Sequence, residues 1–232
     1  MHRPCMTGAP FAAIGFDLDG TLLDTHRDLG AAVNHALDLA GFQTVPVDSA
    51  KDLIGGGAKV MLARAVEAQG GLPDDEFRAL YKQMLAYYAD HNAVETAPYP
   101  GVIETLDTLR RDGVTMAVVT NKFEGFATKI LTHLGLVDRF AAIIGGDSLG
   151  KGPDGKYRAK PAADPIIAAR HACGDGRFAF VGDSSYDVAA ARAADVPMVV
   201  AAYGYCDRDP AELGGDAMIA RFADLPAALS GL

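Results

Sequence analysis

The stretch Ile14-Gly15-Phe16-Asp17-Leu18-Asp19-Gly20-Thr21-Leu22-Leu23 decides how the rest of the chain is read. An apolar run over 12–16 meets two acids and a glycine, the pattern of a buried strand surfacing into a site. Side chains alternate along a strand, so Asp17 and Asp19 are expected on one side, able to share a cation. Two unpaired carboxylates that close repel each other and raise one pKa, and a hard divalent metal such as Mg²⁺ removes that penalty by binding oxygen. Gly20 lets the backbone turn sharply without a Cβ clash. Asp-x-Asp-Gly also occurs in ordinary turns and in calcium loops. The calcium loop is disfavoured because Asp28 sits in an otherwise apolar helical pattern and no glutamate closes a loop of the right length.

At 232 residues the chain can hold one full core and a smaller appended unit, by the prior of ~100 to 200 residues per domain. Hydrophobic content of 50% with 22% charged residues is that of a globular chain. A formal charge of -9 argues against a nucleic-acid surface, which needs clustered Lys and Arg. An anionic substrate therefore needs a local positive site. The 3 cysteines, Cys5, Cys173 and Cys206, are widely spaced and indicate neither a disulfide framework nor a zinc site. None of the 6 histidines stands at metal-ligand spacing. Residues 1–10 contain no apolar stretch of secretory length, and no run approaches the ~20 apolar residues of a membrane span. The expectation is a cytoplasmic protein with no membrane partner.

Outward from the opening strand, helical periodicity runs over 25–40, 47–54, 58–69 and 74–90, the last with Phe77, Leu80, Tyr81, Met84, Leu85 and Tyr88 on one face. Four helices with no strand between them predict a separate bundle. Beyond Tyr99-Pro100-Gly101 the pattern alternates, with helices expected at 102–111, 124–134, 163–171, 185–194 and 222–229. Strands are expected at 115–119, 141–144, 178–181, 198–201 and 217–219. Such alternation means a parallel sheet covered on both faces. Residues 1–23 and 97–232 are thus expected to form the α/β core and 24–96 a helical insertion, joined by two linkers suited to hinge closure. Ligands in open α/β sheets bind at the carboxyl ends of the strands.

The chemical groups fall at such ends. Strand 115–119 delivers Thr120, Asn121 and Lys122, a hydroxyl and an amide beside a helix start that suits an oxyanion; a plain helix cap at Thr120 explains it as well. Strand 178–181 delivers Gly182-Asp183-Ser184-Ser185-Tyr186-Asp187. There Asp183 can complete a metal site and Asp187 can orient a metal-bound water, or both can serve as cap and dipole partner. Lys160-Pro161 precedes a helix, where one ammonium beside several carboxylates can neutralise a phosphoryl group.

Taken in order, Asp17-x-Asp19-Gly-Thr, Thr120 after its strand, Lys160-Pro161 and Gly-Asp183-Ser-x-x-Asp187 resemble the haloacid dehalogenase superfamily of aspartate-nucleophile phosphatases. Asp24-Thr25 with Asp28-Leu29, the loop 54–58, Tyr99-Pro100-Gly101-Val102 and Thr120-Asn121-Lys122 look most like its phosphoglycolate phosphatase subfamily. The resemblance implies a Rossmann-like, doubly wound parallel sheet with an inserted α-helical cap. It also implies that Asp17 is the nucleophile, Asp19 the general acid and base, and Lys160 the group that steadies both nucleophile and phosphate. Thr120 and Asn121 would hold phosphate oxygens. Mg²⁺ would be bound by the side chains of Asp17 and Asp183 and the main-chain carbonyl of Asp19, with Asp187 acting through water. The polar segment 147–158 is longer than usual in the family and brings Lys151 and Lys156 near the lysine motif.

The implied activity is Mg²⁺-dependent hydrolysis of a small phosphorylated metabolite, with 2-phosphoglycolate a candidate, in a monomer or homodimer. A sugar phosphomutase and a non-catalytic regulatory protein are the alternatives. In the insertion, Gly55, Gly56, Gly57 and Lys59 form either a loop reading a substrate carboxylate or a flexible interhelical turn.

Overall fold

A computed structural model describes residues 10–54 and 56–232; Cys5 and Gly55 lie outside the described residues. In chain order the elements are β1 (Ala13–Phe16), β2 (Leu23–Asp24), α1 (His26–Leu39), α2 (Ala58–Glu67), α3 (Asp74–His91), β3 (Ala97–Pro98), α4 (Val102–Arg111) and β4 (Thr115–Val119). They continue with α5 (Glu124–His133), β5 (Ala142–Ile144), α6 (Asp164–Cys173), β6 (Phe178–Gly182), α7 (Ser185–Ala193), β7 (Met198–Ala201), β8 (Ala217–Ile219) and α8 (Leu225–Ser230).

Six strands form one parallel sheet in the order β5-β4-β1-β6-β7-β8. Its strands are apolar on both faces because helices cover both. Ile14, Phe16, Met116, Val118, Ala179 and Val181 enter the core shared with α4, α5 and α8. Their neighbours Ala13, Ala117, Val119, Phe178 and Phe180 enter the core shared with α6 and α7. After β1 the sheet grows outward through β4 and β5; the chain then returns to the other side of β1 and grows through β6, β7 and β8. The direction reverses beside β1, the place where α/β sheets open a ligand crevice. Register makes this productive: Phe16 pairs with Val118 on one side and Val181 on the other, so three strands end level.

The helical insertion differs from expectation in two ways. Residues 47–54 are not an α-helix; Val47–Leu53 forms a 3-10 helix behind Pro46, whose ring permits the first turn but lends it no N–H. The two linkers are not free either, since β2 and β3 pair antiparallel, Leu23 with Pro98 and Asp24 with Ala97. Buried Asp28 clamps them. Its carboxylate accepts the backbone N–H groups of Val94, Glu95 and Thr96, each at 3.0 Å, and the Thr96 hydroxyl at 2.7 Å. The acid that looked out of place in the apolar pattern of α1 thus satisfies three N–H groups that would otherwise be orphaned beyond α3.

Candidate active site

β1 ends at Phe16, but its ladder runs one residue further, because Asp17 N–H donates to Val181 C=O at 2.8 Å. The chain then folds into a turn in which Leu22 and Leu23 N–H both reach Leu18 C=O. Gly20 sits in it at φ +85°, and a Cβ there would run into the Asp183 carboxylate. The turn breaks the strand alternation, so the expectation that Asp17 and Asp19 share a cation through their side chains is corrected. The Asp19 carboxylate turns away to accept the Thr25 hydroxyl at 2.7 Å and stands 3.0 Å from Lys122 Nζ.

Asp17 instead belongs to a buried group with Asp183 and Asp187, whose carboxylate oxygens lie within 4.8 Å of one another. Lys160, 5% exposed, places its ammonium 2.8 Å from Asp17 and 2.5 Å from Asp187. Lys151 and Lys156 stay exposed on the polar segment, with Lys151 over the Tyr157 ring. Asp187 is fully engaged: its second oxygen accepts the Ser184 hydroxyl at 2.6 Å and N–H groups of Ser184 and Asp183 at 2.9 and 3.2 Å, a capping box at the start of α7. Asp183 accepts the Thr21 hydroxyl at 3.2 Å and Tyr205 N–H at 2.7 Å.

Three acids against one ammonium leave the group short of positive charge. Burial pushes the Asp17 carboxyl up to about 7 despite the opposing pull of Lys160, with Asp187 and Asp19 adding to the rise. Asp183 is likewise raised well above the carboxylate range by burial and by Asp17. For Lys160 burial acts downward, yet Asp17 and Asp187 outweigh it and hold the ammonium above its usual range. An all-oxygen donor set with unmatched negative charge fits a hard divalent cation.

Opposite this group, β4 delivers Thr120, whose hydroxyl oxygen accepts Lys122 N–H at 3.1 Å. Asn121 spends one amide hydrogen on Lys160 C=O at 3.0 Å and so ties the two motifs together, while its Oδ1 is buried without a partner. Lys122 reaches across to Tyr88 OH on α3 at 2.9 Å. Asp17, Asp19, Thr120, Asn121, Lys160 and Asp183 all line one cavity between the sheet edge and the insertion. Gly56 and Gly57 line it too; Lys59 is exposed and does not. Gly56, at φ +77°, has no room for a Cβ because Tyr186 OH would lie 2.8 Å away, so the loop sits down on the start of α7.

Residues 14–201 match the family of haloacid dehalogenase-like hydrolases. The chain belongs to that family. It is 41% identical to a phosphoglycolate phosphatase of Agrobacterium fabrum over 97% of this chain and 95% of that protein. A phosphoglycolate phosphatase of Caulobacter vibrioides is 36% identical, with 94% and 90% covered. Among solved structures, a "predicted phosphoglycolate phosphatase" of Haemophilus somnus 129pt superposes with a TM-score of 0.83 at 34% identity, covering 93% of this chain and 96% of that one. The haloacid dehalogenase-like hydrolase is thus an enzyme, and its four sequence motifs meet at one sheet edge.

The sequence patterns of this hydrolase assign no role of their own to three side chains at the site. Lys122 was visible beside Thr120 and Asn121, but a lone lysine at a strand end carries no signal of its burial. Tyr88 lies in the core, as the apolar face of α3 implies, and together with Tyr81 and Leu85 it also lines the cavity, which periodicity does not reveal. Tyr205, beyond β7, accepts Thr25 N–H at 2.6 Å and donates to Asp24 at 3.0 Å, and no periodicity points to it. Among the described residues no helix is long and apolar enough to cross a membrane.

Proposed function

We propose that this hydrolase is a Mg²⁺-dependent phosphatase for a small phosphate monoester, with 2-phosphoglycolate the leading candidate, acting through an aspartyl-phosphate on Asp17. One observation carries the reading: the two acids of the opening motif are held apart, Asp17 on Lys160 and Asp19 on Lys122 and Thr25. That separation suits a nucleophile and a proton carrier with different tasks. The names of the relatives support the substrate class.

In this mechanism an Asp17 carboxylate oxygen attacks phosphorus while the ester oxygen departs with its electron pair and takes a proton from Asp19. Water then attacks the acyl phosphate, gives its proton to Asp19, and releases phosphate and free Asp17. Thr120 presents a hydroxyl hydrogen, and Asn121 its second amide hydrogen, to phosphate oxygens. Lys160 keeps Asp17 ionised and faces the transferring group. Asp17, Asp183 and the Asp19 main-chain carbonyl, with Asp187 behind, would hold Mg²⁺, which would supply charge stabilisation for that group. Residues 24–96 act as a cap over the core of 1–23 and 97–232, closing about the β2–β3 pair, in a cytoplasmic enzyme.

The test is phosphate release from 2-phosphoglycolate with Mg²⁺, together with acid quenching of labelled substrate. Hydroxylamine-labile label on the parent and none on Asp17→Asn supports the intermediate. Isomerised product without net phosphate release would point to a phosphomutase instead.

A further inference from the structure

We infer that Lys122, with Tyr88, reads a carboxylate carried one carbon from the ester oxygen, so that the substrate class is a 2-phosphonooxy carboxylate rather than a neutral alkyl phosphate. This rests on the phosphatase reading above and names the residues that set its specificity.

Among the described residues lining the cavity, the only cations are Lys122 and Lys160. Lys160 is committed to Asp17 and Asp187 at the phosphoryl end. A second negative group on the substrate therefore has one cation to meet. Lys122 is buried, and its ammonium has three N–H groups, of which one goes to Asp19 at 3.0 Å and one to Tyr88 OH at 2.9 Å. The third is available to a ligand. Because Lys122 donates to the Tyr88 oxygen, the Tyr88 hydroxyl hydrogen is also available. Burial raises the Tyr88 pKa to about 12, so it stays a neutral donor.

The position suits the group. Asp19 is the residue that meets the ester oxygen, and Lys122 stands beside the Asp19 carboxylate. A carboxylate one carbon from that oxygen falls within reach of Lys122, while a methyl in its place leaves the buried ammonium with nothing to pair. Around them the cavity is lined by Leu29, Ile54, Met61, Leu85, Phe123 and Phe126, surroundings in which a charge pair is strengthened and an unpaired carboxylate penalised. The exposed Lys59 has no such access. Tyr88 belongs to the helical insertion and Lys122 to the sheet edge, so one carboxylate bridges both.

The experiment compares kcat/KM for 2-phosphoglycolate and for ethyl phosphate, which carries a methyl where the other has its carboxylate. The parent, Lys122→Met, Lys122→Arg and Tyr88→Phe are measured with Mg²⁺, and melting temperatures check folding. The parent should favour 2-phosphoglycolate. Lys122→Met should lower that preference by roughly 10- to 100-fold, the size of one hydrogen bond to a charged group, beyond any loss common to both substrates. Lys122→Arg should retain part of the preference, and Tyr88→Phe should reduce it by less than Lys122→Met. Equal losses on both substrates in Lys122→Met would overturn the inference and leave Lys122 as a support for Asp19. A parent that treats the two substrates alike overturns it without any variant. A parent that hydrolyses neither removes 2-phosphoglycolate as the substrate and overturns the inference with it.

Discussion

The Lys160 ammonium donates to Asp187 at 2.5 Å while standing 2.8 Å from Asp17 on the neighbouring strand end. Asp187 never approaches the cavity surface; it fixes the lysine from behind and is itself fixed by the Ser184 capping box. Asp187→Asn keeps the shape but weakens this hold. Activity should fall roughly 10- to 100-fold, the usual scale for partners behind a reacting group. Folding should survive, checked by an unchanged circular dichroism spectrum. Parental turnover would mean that Lys160 needs no such support.

Asp17→Asn exchanges an ionised nucleophile for a neutral amide of the same size. Turnover should drop by roughly 10³-fold or more, as when other catalytic groups are deleted. Steady-state phosphate release measures it, and a loss of under tenfold would exclude Asp17 as the nucleophile.

The raised pKa values of Asp17 and Asp183 carry a sign. Without metal, the folded state binds protons on Asp17 more tightly than the unfolded chain between the ordinary 3.8 and about 7. The contribution of this group to stability is therefore greatest below that window and declines as pH rises through it. A divalent cation needs the carboxylates deprotonated, so its effect runs the other way. Mg²⁺ should raise the melting temperature more at pH 8 than at pH 6, with affinity about tenfold weaker at the lower pH for one displaced proton. EDTA should abolish turnover, and Asp183→Ala should raise the Mg²⁺ concentration needed. A Mg²⁺ shift that is equal at both pH values would count against Asp17 as a ligand.

Asp28 is a structural anchor with a large expected effect far from the chemistry. Asp28→Ala leaves the N–H groups of Val94, Glu95 and Thr96 without their acceptor. The loss should be ~2 to 4 kcal/mol in urea unfolding. Because these groups adjoin the β2–β3 pair, KM should also rise; a change below ~0.5 kcal/mol would show that water replaces the carboxylate.

What the sequence by itself determined was the kind of layer each segment joins. Strands β4, β7 and β8 and helix α4 fall on the expected residues because their apolar periods, 2 along a strand buried on both faces and 3.6 along a helix, are local properties. The four motifs were readable for the same reason, three being short runs placed just after a strand and the fourth, Lys160-Pro161, standing just before helix α6. Tertiary structure decided what those runs face. Local spacing put Asp19 beside Asp17, but the turn at Gly20 and the arrival of Lys122 from β4 sent its carboxylate elsewhere. Which lysine meets Asp17 was also settled by packing, since only Lys160 is drawn under Asp187. Asp28, Tyr88 and Tyr205 acquire their partners across 34 to 181 residues of chain. Hydrogen bonds of that kind depend on where two distant elements come to rest, and a one-dimensional pattern carries no record of it.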